Sequence, residues 1–208
     1  MRHKKKTISF NKQIINTVAI LFLGIALGVF SKFLDTTASN ALPFIFGVLD
    51  IRNFLGRFAI WVLIALCISI YSNSSIRAAI NVFLFFVGMV TSYYIYSKFV
   101  AGFFPKSYAI IWIGFTVISP LLAFACWYAK GTGKLAFVLS AMILAVLFHM
   151  SFVYGNSYFE MRSVLELIVF ICGFVVLKRN TVKESIMMLA VGIAFAFVLN
   201  LLLPVRFG

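Results

Sequence analysis

Long apolar stretches separated by short polar segments dominate the hydropathy pattern of this chain. A helix that crosses the hydrocarbon core of a bilayer needs about 20 mostly apolar residues. Seven stretches reach or approach that length, and the second and sixth are the weakest because each is short and carries charge near its start. The pattern predicts an all-α polytopic transmembrane helical bundle of about seven spans, with six as the alternative. The predicted spans are residues 14–34, 54–71, 78–96, 108–129, 135–154, 161–177 and 186–203.

The composition supports the membrane class. Hydrophobic residues make up 63% of the 208 residues, charged residues make up only 11%, and the mean hydropathy is +1.09. A water-soluble domain of this length needs more polar surface to cover its core. We predict one transmembrane domain over residues 14–208, preceded by a basic cytoplasmic tail over residues 1–13.

The formal net charge of +13 comes from Lys and Arg residues that mostly lie in the gaps between apolar stretches. Such gaps carry more positive charge on the cytoplasmic side of a membrane. Lys and Arg are more numerous on the side that holds the N-terminus, which predicts a cytoplasmic N-terminus in the plasma membrane. The basic cluster at residues 2–6 is expected to attract anionic lipids. No basic stripe with interleaved aromatic residues is present, so no nucleic-acid partner is expected.

The N-terminus has an alternative interpretation as a cleavable signal peptide. A basic start precedes an apolar run at residues 18–30, and Ser39 with Ala41 has the small side chains of a cleavage site. Lys32 and Asp35 interrupt the approach to that site, so we favour a retained first span. The apolar segment 42–51 is too short to cross a bilayer, and we predict an interfacial or re-entrant segment there.

Glu166 lies inside the sixth predicted span, where a charged side chain needs a partner or a position near the membrane surface. One interpretation is a structural ion pair with Arg162, one helical turn earlier. The other adds His149, which falls at a similar predicted depth on the preceding span, to form a polar cluster. Asn200 and Asp35 fall in the same predicted outer half. We hypothesise that these side chains line a polar cavity that opens outward: His149, Arg162, Glu166, Asn200 and Asp35.

Two further features concern helix geometry. Pro120 lies mid-span, lacks a backbone N–H and leaves the Thr116 carbonyl without its helical donor, so we predict a kink, with the Thr116 and Ser119 hydroxyls able to satisfy that carbonyl. Small residues spaced four apart let helices approach closely. They predict packing seams within the bundle or, alternatively, a dimer face. These seams comprise Gly24 with Gly28 and Gly192 with Ala196.

Motifs of enzymes, metal sites and cofactor sites are absent from the sequence. There is no H-E-x-x-H, no phosphate-binding loop, no G-x-G-x-x-G and no nucleophile elbow. We therefore expect no catalytic residue, no metal and no cofactor. Cys67, Cys126 and Cys172 each lie within a predicted span and are expected to be packing residues.

Three segments carry a resemblance to known proteins: SIRAAINVFLFFVGMVTSYYIYSKFVAGFFPKS at 75–107, ISPLLAFACWYAKGTG at 118–133, and LPFIFG at 42–47. In these the chain resembles a family of small uncharacterised bacterial multi-pass membrane proteins, some labelled as lantibiotic-type ABC-transporter permeases. The resemblance implies a bacterial inner membrane and assigns no site residues.

The expected function is a small transport or ligand-handling membrane component, a permease-type subunit that works with other membrane-protein subunits. Two alternatives stay open. One is an interaction or scaffold protein that acts through the helix-packing faces. The other is an intramembrane enzyme that uses His149 and Glu166.

Overall fold

The computed structural model describes residues 9–155 and 157–202. Within these ranges the chain forms nine α-helices and one short antiparallel hairpin. A single 3₁₀ turn, Ser39–Ala41, follows the first helix. The elements are α1 (Phe10–Thr36), α2 (Phe44–Val48), α3 (Ile51–Gly56), α4 (Phe58–Tyr71), α5 (Ser75–Phe99), α6 (Lys106–Ala129), α7 (Lys134–Ser151), β1 (Phe152–Tyr154), β2 (Phe159–Met161), α8 (Val164–Leu177) and α9 (Val182–Leu202).

Five of these helices are long and apolar enough to cross a membrane, namely α1, α5, α6, α7 and α9. The prediction of an all-α membrane bundle is confirmed in part, because the described chain is nearly all helical and five of its helices could span a membrane. Helices α4 and α8 are equally apolar but have 14 residues each. At 1.5 Å per residue each extends about 21 Å, less than the hydrocarbon thickness of about 30 Å. The count of seven spans therefore stays a prediction.

The contacts at the two ends of α1 fix the direction of its neighbour α5. Near its start, the Thr17 hydroxyl donates to Asn81 near the start of α5. Near its end, Lys32 lies against Tyr93 near the end of α5. The two helices therefore run parallel. We call the end of the bundle where α1 begins the proximal end, and the end where α1 finishes the distal end.

Small residues lie at the α1–α5 interface. A Cβ atom on Gly24 would overlap the Phe85 carbonyl oxygen, and one on Gly28 would overlap the Met89 carbonyl oxygen. The α7–α9 interface has a similar seam, because a Cβ on Gly192 would lie 3.0 Å from the Ala141 carbonyl oxygen. Ala196, one turn later on α9, is fully buried. Both small-residue faces are therefore covered within one chain, and a dimer would need a different surface.

Helix α4 begins later than the predicted span 54–71. Arg57 has an extended backbone, which separates α3 from α4. The indole N–H of the buried Trp61 donates to the Leu55 carbonyl at 2.9 Å and so holds the segment between α3 and α4 against the core. The predicted interfacial segment 42–51 forms α2 and the corner that leads into α3. Asp50 makes this corner in a left-handed conformation, which Asp tolerates better than most residues.

The connection between α7 and α8 departs from the all-α prediction. Residues 152–154 pair with residues 159–161 as an antiparallel hairpin, so α7 ends at Ser151 rather than at 154. Aromatic side chains stabilise this hairpin, with Phe152 stacked on Phe159 at 5.2 Å between ring centroids. Helix α8 begins at Val164, after Ser163, whose hydroxyl accepts from the Glu166 N–H at 3.3 Å.

Basic side chains close the proximal ends of α6 and α8. Lys130 donates from its ammonium to the carbonyls of Val176 and Lys178, both at 2.8 Å. Arg179 donates in return to the carbonyl of Ala129, at the end of α6. Cations are favoured at helix C-termini because the last carbonyls have no helical donor. These bonds fix α8 beside α6 at this end.

Candidate functional site

A polar cleft opens at the distal end, between the ends of α1 and α5 and the starts of α4 and α6. Its volume is about 590 Å³, within the range of about 300–1,000 Å³ that is usual for ligand sites. Cations, carboxylates, amides and aromatic rings share its wall. The residues that line this distal cleft are Lys32, Asp35, Arg52, Asn53, Gly56, Arg57, Tyr93, Phe103, Pro105 and Tyr108.

Lys32 is the most buried cation in the wall, with 1% of its side chain exposed. Its ammonium lies 2.6 Å from a carboxylate oxygen of Asp35 and 4.5 Å from the centroid of the Phe103 ring. The Tyr93 hydroxyl donates to the same Asp35 oxygen at 3.0 Å. A buried cation is stable only with such partners. Asp35, in contrast, keeps 43% of its side chain exposed and faces the cleft.

Arg57 supplies the second cation and joins the cleft to α8. Its guanidinium donates to a carboxylate oxygen of Glu166 at 2.8 Å, and its other terminal nitrogen lies 3.8 Å from Asp50. Glu166 is fully buried, and its second carboxylate oxygen has no hydrogen-bond partner among the described residues. The described ion pair of Glu166 is therefore with Arg57, which immediately precedes α4, whereas one interpretation of the sequence paired Glu166 with Arg162.

An aromatic pocket lies next to the cleft and shares Gly56, Tyr93 and Tyr108 with it. The pocket itself has about 30 Å³ of free space, and its wall includes Trp61, Met89, Tyr94 and Trp112. Within the described residues the buried Tyr94 hydroxyl has no hydrogen-bond partner. Buried polar groups are nearly always paired, so this hydroxyl marks a position for a water molecule or a polar ligand atom.

The remaining predicted cavity residues lie in a separate network around β1. His149 shares a hydrogen bond of 3.1 Å with the Tyr154 hydroxyl, which donates to the Ala196 carbonyl at 2.7 Å. Asn200 donates to the Tyr154 carbonyl at 3.3 Å. The Arg162 backbone N–H donates to Ser151. His149 and Asn200 thus hold the hairpin against α9, and neither is among the residues that line the distal cleft.

Helix α6 continues through Pro120. The Ser119 hydroxyl donates to the Thr116 carbonyl at 2.8 Å, which is the carbonyl that Pro120 leaves without a donor. The Thr116 hydroxyl donates to the Trp112 carbonyl at 2.8 Å. Both hydroxyls are buried and donate hydrogen bonds to backbone carbonyls of α6. The kink itself stays a prediction.

Sequence reasoning assigned no site role to several residues that the structure places in the distal cleft. Lys32 had a local signal, because Lys-x-x-Asp spacing puts Lys32 and Asp35 on one helical face. The start of α8 also had a local signal. Ser163 and Glu166 have the spacing of a capping box, and a carboxylate is favoured in the first turn of a helix. Arg57 had no local signal for its partner, because 109 residues separate it from Glu166.

The cleft combines charge balance with an apolar floor. Lys32 pairs with Asp35, and Arg57 pairs with Asp50 and, behind the wall, with Glu166. Arg52 adds a third cation, whose guanidinium donates to the Thr37 carbonyl. No group of three or more His, Cys, Asp or Glu side chains in the described ranges is placed to hold a metal ion. The charged and polar side chains that line the cleft favour binding of a polar group.

A family model described as "Family of unknown function (DUF6518)" matches residues 9–205. The match covers nearly the whole chain and confirms that the resemblance is to an uncharacterised family. No curated protein and no solved structure matches the chain.

Proposed function

We propose that this chain, which belongs to the family of unknown function DUF6518, is a ligand-handling component of the plasma membrane, of the transport type. Its ligand is a polar or amphipathic molecule that occupies the distal cleft, and a water-sized polar group of it reaches the Tyr94 hydroxyl in the aromatic pocket, which has about 30 Å³ of free space. The observation that carries the proposal is the junction of the two spaces at Gly56, Tyr93 and Tyr108.

Three considerations support this assignment. The cleft offers hydrogen-bond donors and acceptors and charges of both signs, so it fits a zwitterionic or hydroxylated group better than a simple anion. Trp61 and Trp112 pack edge to face at 6.5 Å, which forms a rigid apolar wall. Binding sites of membrane transporters commonly lie between helices, where polar groups are shielded from lipid.

The proposed arrangement in the membrane has seven spans, a cytoplasmic N-terminus and the distal cleft on the outer side. Helices α4 and α8 are short, and α3 and the β1–β2 hairpin precede them at the distal end. These segments cover the helix starts, so a short helix needs to cross only part of the bilayer. In the proposed complex the chain is a permease-type subunit, with anionic lipid around its basic N-terminal tail and other membrane-protein subunits beside it.

The proposal is tested by filling the junction between cleft and pocket. A Cβ atom on Gly56 meets open space, so Gly56→Trp places an indole at the junction without a clash at the backbone. Gly47→Trp is the matched control, because Gly47 is equally open and does not line the cleft. Each protein is purified from native membranes, and bound small molecules and proteins are identified by mass spectrometry.

We expect a molecule that co-purifies with the wild type and with Gly47→Trp and that is lost from Gly56→Trp. Identical bound molecules in equal amounts in all three folded proteins would contradict the proposal. Subunits in the same preparations identify the complex, and a nucleotide-binding subunit would support the permease assignment.

A further inference from the structure

A second polar cavity lies at the proximal end, away from the distal cleft. It encloses about 360 Å³ between the start of α1, the end of α4 and the start of α5. Apolar side chains, among them Ile20 and Ile68, form one part of its wall. The polar part of the wall consists of Gln13, Asn16, Ser72, Asn73, Arg77 and Asn81.

Of the described residues that line this proximal cavity, only Arg77 is charged. Its Nη2 atom is buried and has no hydrogen-bond partner among the described residues. A guanidinium presents five N–H donors in a fixed plane, and a buried donor without an acceptor is unfavourable. Among the described residues, the cavity therefore holds a positive charge and at least one buried donor without an acceptor, which a bound ligand would satisfy.

Among the residues that the structure describes, no Asp or Glu side chain is placed to pair with Arg77. The chain contains only five acidic residues, and all five fall within the described ranges. Three of them pair with Lys32 or Arg57 at the distal end. None of the five lines the proximal cavity. They are Asp35, Asp50, Glu160, Glu166 and Glu184.

The amide groups beside Arg77 are held in place by neighbouring residues. Asn81 accepts from the Thr17 hydroxyl at 2.7 Å and donates to the Ser72 hydroxyl at 3.2 Å, which in turn donates to the Ile68 carbonyl. This chain of bonds fixes α1, α4 and α5 around the cavity. Asn73 lies in the loop between α4 and α5, on the same wall as Arg77.

We propose that the proximal cavity is a binding site for a phosphate group. Arginine pairs with phosphate through two parallel N–H···O bonds, and amide N–H groups add neutral donors that a phosphate accepts well. Because the described part of the wall contains no carboxylate, the positive charge of Arg77 is available to the ligand. The phosphate belongs either to the headgroup of an anionic lipid, whose chains would follow the apolar wall, or to a soluble phosphate compound.

The experiment uses the full-length protein in nanodiscs. One set contains phosphatidylcholine alone and the other contains phosphatidylcholine with one fifth phosphatidylglycerol. Bound phosphatidylglycerol is counted by native mass spectrometry, and thermal unfolding is followed with and without inorganic phosphate at constant ionic strength. Arg77→Gln removes the guanidinium. Lys134→Gln is the matched control, because Lys134 is an exposed cation at the start of α7 and does not line the cavity.

We expect Arg77→Gln to weaken binding about tenfold, the loss typical of one charge-assisted contact, with no change in Lys134→Gln. Asn73→Asp supplies an internal counter-ion and should displace the ligand while keeping the protein folded, so it serves if Arg77→Gln does not fold. A difference seen only with phosphatidylglycerol identifies a lipid headgroup, and one seen with inorganic phosphate identifies a soluble ligand. Equal binding of both probes to the wild type and to the folded Arg77 or Asn73 variant overturns the proposal.

This test is independent of the Gly56 experiment, because the two sites lie at opposite ends of the bundle and share no residue.

Discussion

The guanidinium of Arg57 lies 2.8 Å from the carboxylate of Glu166, and this ion pair joins the starts of the two short helices α4 and α8. Glu166 is fully buried, whereas Arg57 keeps 24% of its side chain exposed and lines the distal cleft. The pair therefore connects the wall of the candidate site to a helix that does not reach the site itself. A ligand that binds Arg57 in the cleft would therefore compete with Glu166 for the Arg57 guanidinium.

The unequal burial of the two groups predicts unequal effects of substitution. Arg57→Met leaves Glu166 as a buried charge without its cation and should lower the free energy of unfolding by about 3–5 kcal/mol. Glu166→Gln leaves a carbonyl acceptor for Arg57, and the partly exposed Arg57 guanidinium also reaches solvent. The loss of unfolding free energy in Glu166→Gln should therefore be smaller than in Arg57→Met. Denaturant unfolding in detergent micelles measures both.

The double variant Arg57→Met/Glu166→Met is the control for this pair. Replacing both charges with apolar side chains of similar length removes the buried charge, so stability should recover most of the loss seen in Arg57→Met. Additive losses in the double variant would show that the two residues do not interact in the membrane-embedded protein.

Lys32 and Asp35 form a second ion pair with unequal burial, and in this pair the cation is the buried member. Asp35→Asn leaves the buried Lys32 ammonium without its carboxylate, whereas Lys32→Met leaves an Asp35 that is 43% exposed and remains hydrated. We expect Asp35→Asn to lower the thermal unfolding temperature more than Lys32→Met does. Lys98→Met is the control, because Lys98 is an exposed cation near the same end of α5. A larger loss for Lys32→Met would contradict the burial argument.

Hydropathy predicted the helices because their length and apolar character are local properties of the chain. The predicted span 108–129 agrees with α6 to within two residues, and 78–96 lies inside α5. The seam of Gly24 and Gly28 was also predictable, since four-residue spacing places small residues on one helical face. The spacing does not show which helix packs on that face, because this depends on the tertiary arrangement of the bundle.

The hairpin and the distal cleft were harder to predict for different reasons. Residues 152–161 are aromatic enough to extend an apolar helix, and the turn signal of Gly155 between two aromatic runs competes with that pattern. The cleft brings Arg57 together with Tyr93 and Phe103, which lie more than 35 residues further along the chain. One sequence contains no signal for such a meeting, whereas Lys32 with Asp35 had a helical spacing that pointed to their contact.

The α1–α5 seam predicts strong sensitivity to side-chain size at Gly28. Gly28→Leu would overlap the Met89 backbone and separate the two helices, so it should lower the free energy of unfolding by several kcal/mol or prevent folding. Gly114→Leu is the matched control, because Gly114 lies on an exposed face of α6 with open space around it. That change should be neutral or stabilising by up to about 1 kcal/mol. Equal losses at both glycines would exclude a close-packed seam.

Cysteine labelling tests the proposed orientation. With Cys67, Cys126 and Cys172 replaced by Ala, single cysteines are introduced at Asn53 in the distal cleft and at Asn73 in the proximal cavity. Because the distal end is proposed to face outward, a membrane-impermeant maleimide should modify Asn53→Cys in intact cells.

Asn73→Cys should react only after the membrane is permeabilised, and Lys134→Cys, also at the proximal end, should behave in the same way. Reaction of Asn73→Cys but not Asn53→Cys in intact cells would invert the orientation and place the phosphate site outside. Reaction of both would mean that α4, whose two ends these residues flank, does not cross the membrane, so that its 14 residues belong to a buried helix instead.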